Sequence, residues 1–313
     1  MPPLWEKEPV ALLVADLHLS HRAPLTRSVH ENWYEVMANY LHQLHDMSCV
    51  SRGTLATNLP IICAGDVFDR WNAPAELINF AIANMPKMYA VPGQHDLPNH
   101  RYEDVRRSAY WTLVEAGKIV DICANTTELV GNILLYGYPW GYEPIGNDHP
   151  KDLILDVAVI HKYVWRKDSG YVGAPEESRV GRLGSQLKGY DVAVFGDNHM
   201  PFNCIVGNTR VHNCGSFLCR TIAEIDHQPS VGILFADGTI ERKYLDTSGD
   251  RFLESKDLLP TSINAHTLLE ELQTLGDGAI DFASTLNRFL ESGAFPGMIR
   301  KAVLSALEEA RGQ

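Results

Sequence analysis

The sequence predicts an α/β fold built on a largely buried sheet, and three observations predict it. Short apolar runs rich in β-branched residues recur through the first two thirds of the 313-residue chain. Stretches with helical spacing of apolar residues separate the early runs. The runs themselves are almost continuously apolar, as strands covered on both faces must be.

The first run is VALLVA, 10–15. A helical pattern comes next over 28–44, with Trp33, Val36, Met37, Tyr40, Leu41 and Leu44 three or four residues apart. Run PIICAG, 60–65, precedes a helix over 73–85, and run KMYAVP, 87–92, precedes one over 103–117. NILLYG (132–137), DVAVI (156–160) and DVAVF (191–195) are too short for helices and rich in strand formers. After residue 200 the pattern becomes strands and a hairpin, the last one turning at Asp237-Gly238. From about residue 261 the chain reads as helical. Ser262 is placed to cap Leu268, Leu269 and Leu272. Phe282, Leu286, Phe289 and Leu290 come after it, and then Ile299, Val303, Leu304 and Leu307 after Pro296. The expected division is a main domain over 1–250 and a helical region over 251–313.

Composition narrows the function. Hydrophobic residues make up 45% of the chain, enough for a sizeable core. No apolar run approaches the ~20 residues of a membrane span, and MPPLWEKEP lacks the form of a signal peptide. Six cysteines, at 49, 63, 123, 204, 214 and 219, form no disulfide pattern, so reduced thiols in a cytoplasmic protein are expected. Buried thiols are favoured over a zinc site for Cys204, Cys214 and Cys219. A net charge of −12 argues against gripping nucleic acid by charge alone. It leaves room for nucleic acid at a metal site, where cations invert the local field. Lys162, Arg166, Lys167, Arg179, Arg182 and Lys188 read either as a solvated loop or as a phosphate-facing lip. His30, His42 and His45 read as a helix face.

The chemistry lies just past the end of each run. VALLVA ends in Asp16-Leu17-His18, and PIICAG in Asp66, with Asp69 and Arg70 soon after. KMYAVPG ends in Gln94-His95-Asp96, DVAVI in His161, and DVAVFG in Asp197-Asn198-His199. Five strand ends therefore carry metal-type ligands, and strand ends are where α/β sheets build their sites. A bridging carboxylate such as Asp66 can hold two cations. Two cations ~3.5–4 Å apart can clamp a phosphoryl group and activate a water for in-line attack.

This series, "DLH", "GDVFD", "GQHD", His161 and "GDNH", resembles the calcineurin-like metallophosphoesterases over roughly residues 9–245. The resemblance implies a four-layer sandwich of two mixed β-sheets flanked by helices. It implies two divalent ions. Asp16, His18, Asp66 and His199 would hold one, and Asp66, Gln94, His161 and Asp197 the other. His95 would be an unliganded imidazole that contacts the phosphate and protonates the leaving oxygen. Asp96 would orient His95 through its other ring nitrogen. Apart from the resemblance, Asp69 and Arg70 directly follow a metal-type ligand and read either as substrate contacts, Arg70 forking onto a phosphate, or as a plain surface pair. Gln94 stands where the family has asparagine, and Asp197 where it has histidine. That oxygen-rich set suits Mn²⁺, or Mg²⁺, better than Zn²⁺.

Within the superfamily, "GQHDLPNH" and "HNCGSFLCRTIAEIDHQPSVGILFADGTIERKYL" are most similar to the SbcD-type DNA repair exonucleases. Cys214 replaces the proline usual in that branch. The resemblance implies hydrolysis of DNA phosphodiesters, with DNA as substrate and an SbcC-like ATPase as one candidate partner. A homodimer is another arrangement it leaves open. "VADLHLS" also resembles the pyrophosphatases of the lipid A pathway, so a small or lipid-linked phosphoester is the alternative substrate. A partner-binding scaffold with an impaired second metal site is the non-enzymatic alternative.

Overall fold

A computed structural model describes residues 8–52, 55–122, 127–150, 154–167, 169–171, 173–221, 224 and 227–253. The helices expected after residue 261, with Leu304 and Leu307, lie outside the described residues, as does Cys123. Residues up to Gly170 and from Ala174 to Leu253 form one compact unit. Of the second unit, Tyr171–Gly173 with Glu254–Gln313, only Tyr171 and Gly173 are described.

In chain order the first unit runs β1 (Pro9–Val14), α1 (Trp33–Ser48), β2 (Cys49–Arg52), β3 (Leu55–Asn58), β4 (Ile61–Cys63), α2 (Ala75–Asn84) and β5 (Met88–Ala90). It continues with α3 (Ala109–Glu115), β6 (Ile119–Asp121), β7 (Thr127–Val130), β8 (Ile133–Tyr138), β9 (Leu155–His161) and β10 (Val192–Gly196). It ends with β11 (Phe202–Val206), β12 (Thr209–Asn213), β13 (Ser230–Phe235) and β14 (Ile240–Tyr244). One six-stranded sheet has the order β14-β13-β1-β4-β5-β6 and the other β11-β12-β10-β9-β8-β7. Both are mixed: β1 runs parallel to β4 and antiparallel to β13, while β12 runs parallel to β10 and antiparallel to β11.

Strand alternation explains how the layers stack. On β1, Leu12 and Val14 join a cluster with Met37, Leu41 and Leu44 of α1. Ala11 and Leu13 point the other way, against Val157, Val159, Val192 and Val194 of the second sheet. One strand thus feeds two hydrophobic layers, and each fully buried aliphatic side chain contributes ~1.5–3 kcal/mol. The outer face of the second sheet, with Ile160 and Phe195, packs under Val180, Leu183 and Leu187. Its cover is built from loop and 3₁₀ turns at Glu176–Ser178 and Val180–Leu183. The two mixed sheets with their flanking layers match the expected fold.

Two helices differ from their sequence patterns. The first begins at Trp33, capped by the Asn32 side chain, because Ser28 and His30 instead turn back, their N–H groups bonding Leu25 O and Arg27 O. His30 therefore lies ahead of the helix. The pattern over 103–117 divides at Ser108, whose extended backbone ends a 3₁₀ turn and whose hydroxyl caps α3 at Trp111 N–H. The basic stretch between 162 and 188 is largely a solvated surface: Lys162 pairs with Glu143, and Arg179 and Arg182 pair with Glu176. Cys214 and Cys219 are buried free thiols, and Cys204 is half-buried. Among the described residues no helix is long and apolar enough to cross a membrane.

Candidate metal centre

The ends of β1, β4, β5, β9 and β10 meet on one side of the sandwich. Four residues there hold the left-handed backbone region: Asp16 (φ 53°), His18 (45°), Asp66 (53°) and Asp197 (77°). Such residues each cost of order 1–3 kcal/mol and concentrate at functional sites. Backbone bonds fix them, from Asp16 N–H to Gly65 O and from His18 N–H to Asp66 O, both at 2.9 Å. Two glycines make the crowding tolerable. A Cβ on Gly65 would sit 2.2 Å from His161 Nδ1, and one on Gly93 would sit 2.1 Å from Asp66 Oδ1.

Three imidazoles are held by Nδ1 in the same way. His161 Nδ1 donates to Ala64 O (2.6 Å), His95 Nδ1 to Asp69 O (2.8 Å) and His199 Nδ1 to Glu224 Oε1 (2.5 Å). Such partners fix the ring and leave Nε2 as the working atom. The Nε2 atoms of His18 and His199 lie 3.2 Å apart. Asp66 Oδ2 lies 3.7 Å from His18 Nε2 and 3.5 Å from His161 Nε2, so one carboxylate oxygen faces both groups. The ligand atoms of Asp16, His18 and His199 lie within 4.8 Å of one another, as do those of Asp16, Asp66 and His161.

Divalent cations fit this cluster. Asp66 Oδ2 is buried and has no hydrogen-bond partner among the described residues, which is costly for a carboxylate unless a cation satisfies it. Burial alone would raise the Asp66 pKa, but the charge of the nearby His161 outweighs it and holds it low. Burial would likewise lower His161, and Asp66 outweighs that, pushing it up to about 10. The ring is therefore protonated when no cation is present, and ligation must displace that proton. Burial pushes Asp16 up to about 7 against the opposing charges of His199 and His161.

Gln94 and Asp197 come together with His161. Gln94 Oε1 accepts from His161 Nε2 (2.6 Å), while Gln94 Nε2 donates to Asp197 Oδ1 (2.8 Å). Asp197 N–H in turn donates to both oxygens of Asp16 at 3.1 Å. The amide carbon chain, one methylene longer than asparagine, lets one side chain touch both the ring and the carboxylate.

The expected role of Asp96 is corrected. Its carboxylate is fully buried and accepts from Gly93, Val67 and Phe68 N–H at 3.1, 3.1 and 2.9 Å. It makes no hydrogen bond to the His95 ring, whose Nδ1 is given to the Asp69 carbonyl. Asp96 ties the Gly93–Leu97 turn to the Asp66 loop, and the Asp69 carbonyl orients His95 in its place. His95 stands edge-on to His18, ring centroids 4.9 Å apart, and its N–H donates to Asp66 Oδ1 at 2.9 Å. The Asp69 side chain also turns elsewhere than expected, to Arg220 Nη2 at 2.5 Å, and Arg70 is exposed beside it. Sequence reasoning missed the parts played by Arg220 and Glu224. Glu224 holds His199 and also accepts from the N–H groups of Arg220 and Thr221 (2.6 and 3.0 Å). The one signal in the sequence is the arginine and glutamate of "CRTIAE", which come after the last ligand motif without metal-ligand spacing.

Residues 10–201 match the family of calcineurin-like phosphoesterases. No curated protein matches the chain. Among solved structures, the calcineurin-like phosphoesterase YfkN from Bacillus subtilis is 13% identical, covering 88% of this chain and 99% of that one, with a TM-score of 0.41. The phosphopantetheinyl hydrolase PptH from Mycobacterium tuberculosis is 14% identical, covering 68% and 91%, with a TM-score of 0.38. Vps29 from Entamoeba histolytica, complexed with zinc, is 14% identical, covering 75% and 98%, with a TM-score of 0.35. With the family match spanning more than half of its length, the chain belongs to the calcineurin-like phosphoesterases.

Proposed function

We propose that this protein is a metal-dependent phosphodiesterase that hydrolyses DNA, of the SbcD type. The observation that carries the hydrolytic part is the Asp66 carboxylate, whose unpartnered buried oxygen faces the imidazoles of His18 and His161 together. In this reading Asp16, His18, Asp66 and His199 hold one cation, and Asp66, Gln94, His161 and Asp197 hold the other. Divalent ions at such sites supply charge neutralisation and a water nucleophile at neutral pH. The protein's own residues supply the rest. Glu224 and the Ala64 carbonyl fix the His199 and His161 rings before substrate arrives. His95, with Nδ1–H given to the Asp69 carbonyl, keeps Nε2 as the atom that carries a proton to the leaving oxygen. Manganese is the expected metal, with magnesium next, because oxygens outnumber imidazoles at the second position.

Support for DNA comes from the sequence on either side of this centre, "GQHDLPNH" and the strand-rich stretch after His199. The β13–β14 hairpin, with Ile233 opposite Glu241, turns at Asp237-Gly238 within that stretch. A panel of metals against substrates tests the reading: Mn²⁺, Mg²⁺ and Zn²⁺ against single-stranded DNA, linear duplex, cyclic nucleotides and bis-p-nitrophenyl phosphate. Manganese-dependent release of nucleotides from DNA is expected. Turnover confined to small esters would overturn the DNA assignment, and none with any metal would favour a binding scaffold.

A further inference from the structure

Arg220 is anchored from three sides at the edge of the metal centre. Its carbonyl accepts from Thr26 Oγ1 (2.5 Å), the carbonyl before it from Arg27 Nη1 (3.0 Å), and its N–H donates to Glu224 (2.6 Å). Arg27 is itself buried and paired with Asp250 at 2.5 Å. The backbone is therefore fixed, and the guanidinium is what remains to move.

That guanidinium is only half used. Nε and Nη2 form one edge of the fork, the edge that takes two oxygens of a carboxylate or phosphate. Asp69 Oδ1 occupies Nη2 at 2.5 Å, while Nε is buried without a hydrogen-bond partner among the described residues. A second orphan lies on the other side of Asp69. His18 Nδ1 is buried and unpartnered, 3.9 Å from the same Asp69 oxygen, too far for a hydrogen bond. Buried unpaired donors cost free energy, and one rearrangement removes both. If a tetrahedral anion takes the Arg220 edge, two of its oxygens satisfy Nη2 and Nε. The Asp69 carboxylate, released, can close the gap to His18 Nδ1 and complete the carboxylate–imidazole pair that ligand histidines commonly have.

We infer that Arg220 is the phosphate-binding residue of this site and that Asp69 holds its place until substrate arrives. The inference rests on the phosphoesterase reading for its ligand, but not on DNA as substrate. Asp69 and Arg220 sit 151 residues apart, so the pair is built by the fold and not by a local motif.

The test is binding of inorganic phosphate to the manganese-loaded protein by calorimetry, beside steady-state hydrolysis of bis-p-nitrophenyl phosphate. Arg220→Ala should weaken phosphate roughly ten- to hundred-fold, the scale of a lost charged hydrogen-bond pair. Arg220→Lys, a milder change, should fall between, because ammonium offers no fork. KM should rise more than kcat falls, metal content should stay at the wild-type level, and added guanidinium ion should partly rescue Arg220→Ala. Asp69→Asn should bind phosphate at least as tightly as wild type. Unchanged phosphate affinity in both Arg220 variants would overturn the inference while leaving the hydrolase reading intact. So would an Asp69→Asn loss as large as that of Arg220→Ala, or a wild type that binds no phosphate. Arg220-dependent phosphate binding in a protein that cleaves no DNA would keep the inference and remove the DNA reading.

Discussion

Gly93→Ala offers a perturbation of the centre that replaces none of its ligands. Gly93 has φ −90° and ψ −179°, a backbone that any residue can adopt, so alanine brings no backbone strain. It brings a methyl group into occupied space. The new Cβ would lie 2.1 Å from Asp66 Oδ1, 2.6 Å from Asp66 Cγ and 2.6 Å from Asp66 N, where ordinary contact begins at 3.4 Å. The nearest approach is thus about 1.3 Å too close, and one of the clashing atoms is backbone, which cannot swing away. The Gly93 loop and the Asp66 loop must part. The bond from His95 N–H to Asp66 Oδ1, 2.9 Å long, and the Asp96 bonds that tie the loops stand in the way. Overpacking of this kind costs ~1–3 kcal/mol, and a displacement of ~1 Å in a catalytic group costs about 10²-fold in rate. Thermal unfolding, metal analysis and diester hydrolysis should show a folded, destabilised protein with turnover down by roughly two orders of magnitude. Wild-type turnover and metal content in Gly93→Ala would refute the packing argument and the tight seating of Asp66.

Other perturbations separate the remaining roles. His95→Asn should keep its metal content while turnover drops by roughly 10²–10⁴; loss of metal would make His95 a ligand. Gln94→Asn with Asp197→His should raise the zinc-supported rate relative to manganese more than either single change does, because the two side chains bond each other. Strong zinc activity in the wild type would contradict that. His212 is buried, and burial first and then Arg242 lower its pKa to about 3 from 6.5. Above about pH 6.5 the ring is neutral in both folded and unfolded states and has no effect. Below it the unfolded chain takes up a proton that the folded chain refuses, so stability falls as the pH falls, by roughly 2 kcal/mol at pH 5. Melting curves at pH 7.5 and 5 should show a smaller acid loss in His212→Gln than in wild type, and equal losses would be inconsistent with a neutral buried ring.

The parts of the site legible in the sequence are those written locally. An apolar run followed within a few residues by Asp16-x-His18 or Asp197-Asn198-His199 announces a strand and its ligands together. The illegible parts depend on meetings across the chain. Glu224 reaches His199 over 25 residues, and Arg220 reaches Asp69 over 151. Asp96 stands next to His95 in sequence, and that proximity suggests a partnership. In the fold the carboxylate instead serves three backbone N–H groups, which a buried acid at a turn must do before it can serve a side chain. The helical pattern overruns the true start of α1 for a similar reason: His30 lies within the pattern but its ring is claimed by Arg27 and the Arg251 N–H.

The central claim is that Asp66 joins two cations in one centre. Direct metal analysis with calorimetric titration of Mn²⁺ into the metal-free protein, for wild type and Asp66→Asn, tests it most directly. The account predicts two ions bound by each wild-type chain, release of a proton as His161 is ligated, and loss of tight binding at both positions in the variant, with hydrolysis abolished and the fold retained. Two tightly bound ions in Asp66→Asn, with hydrolysis intact, would contradict it.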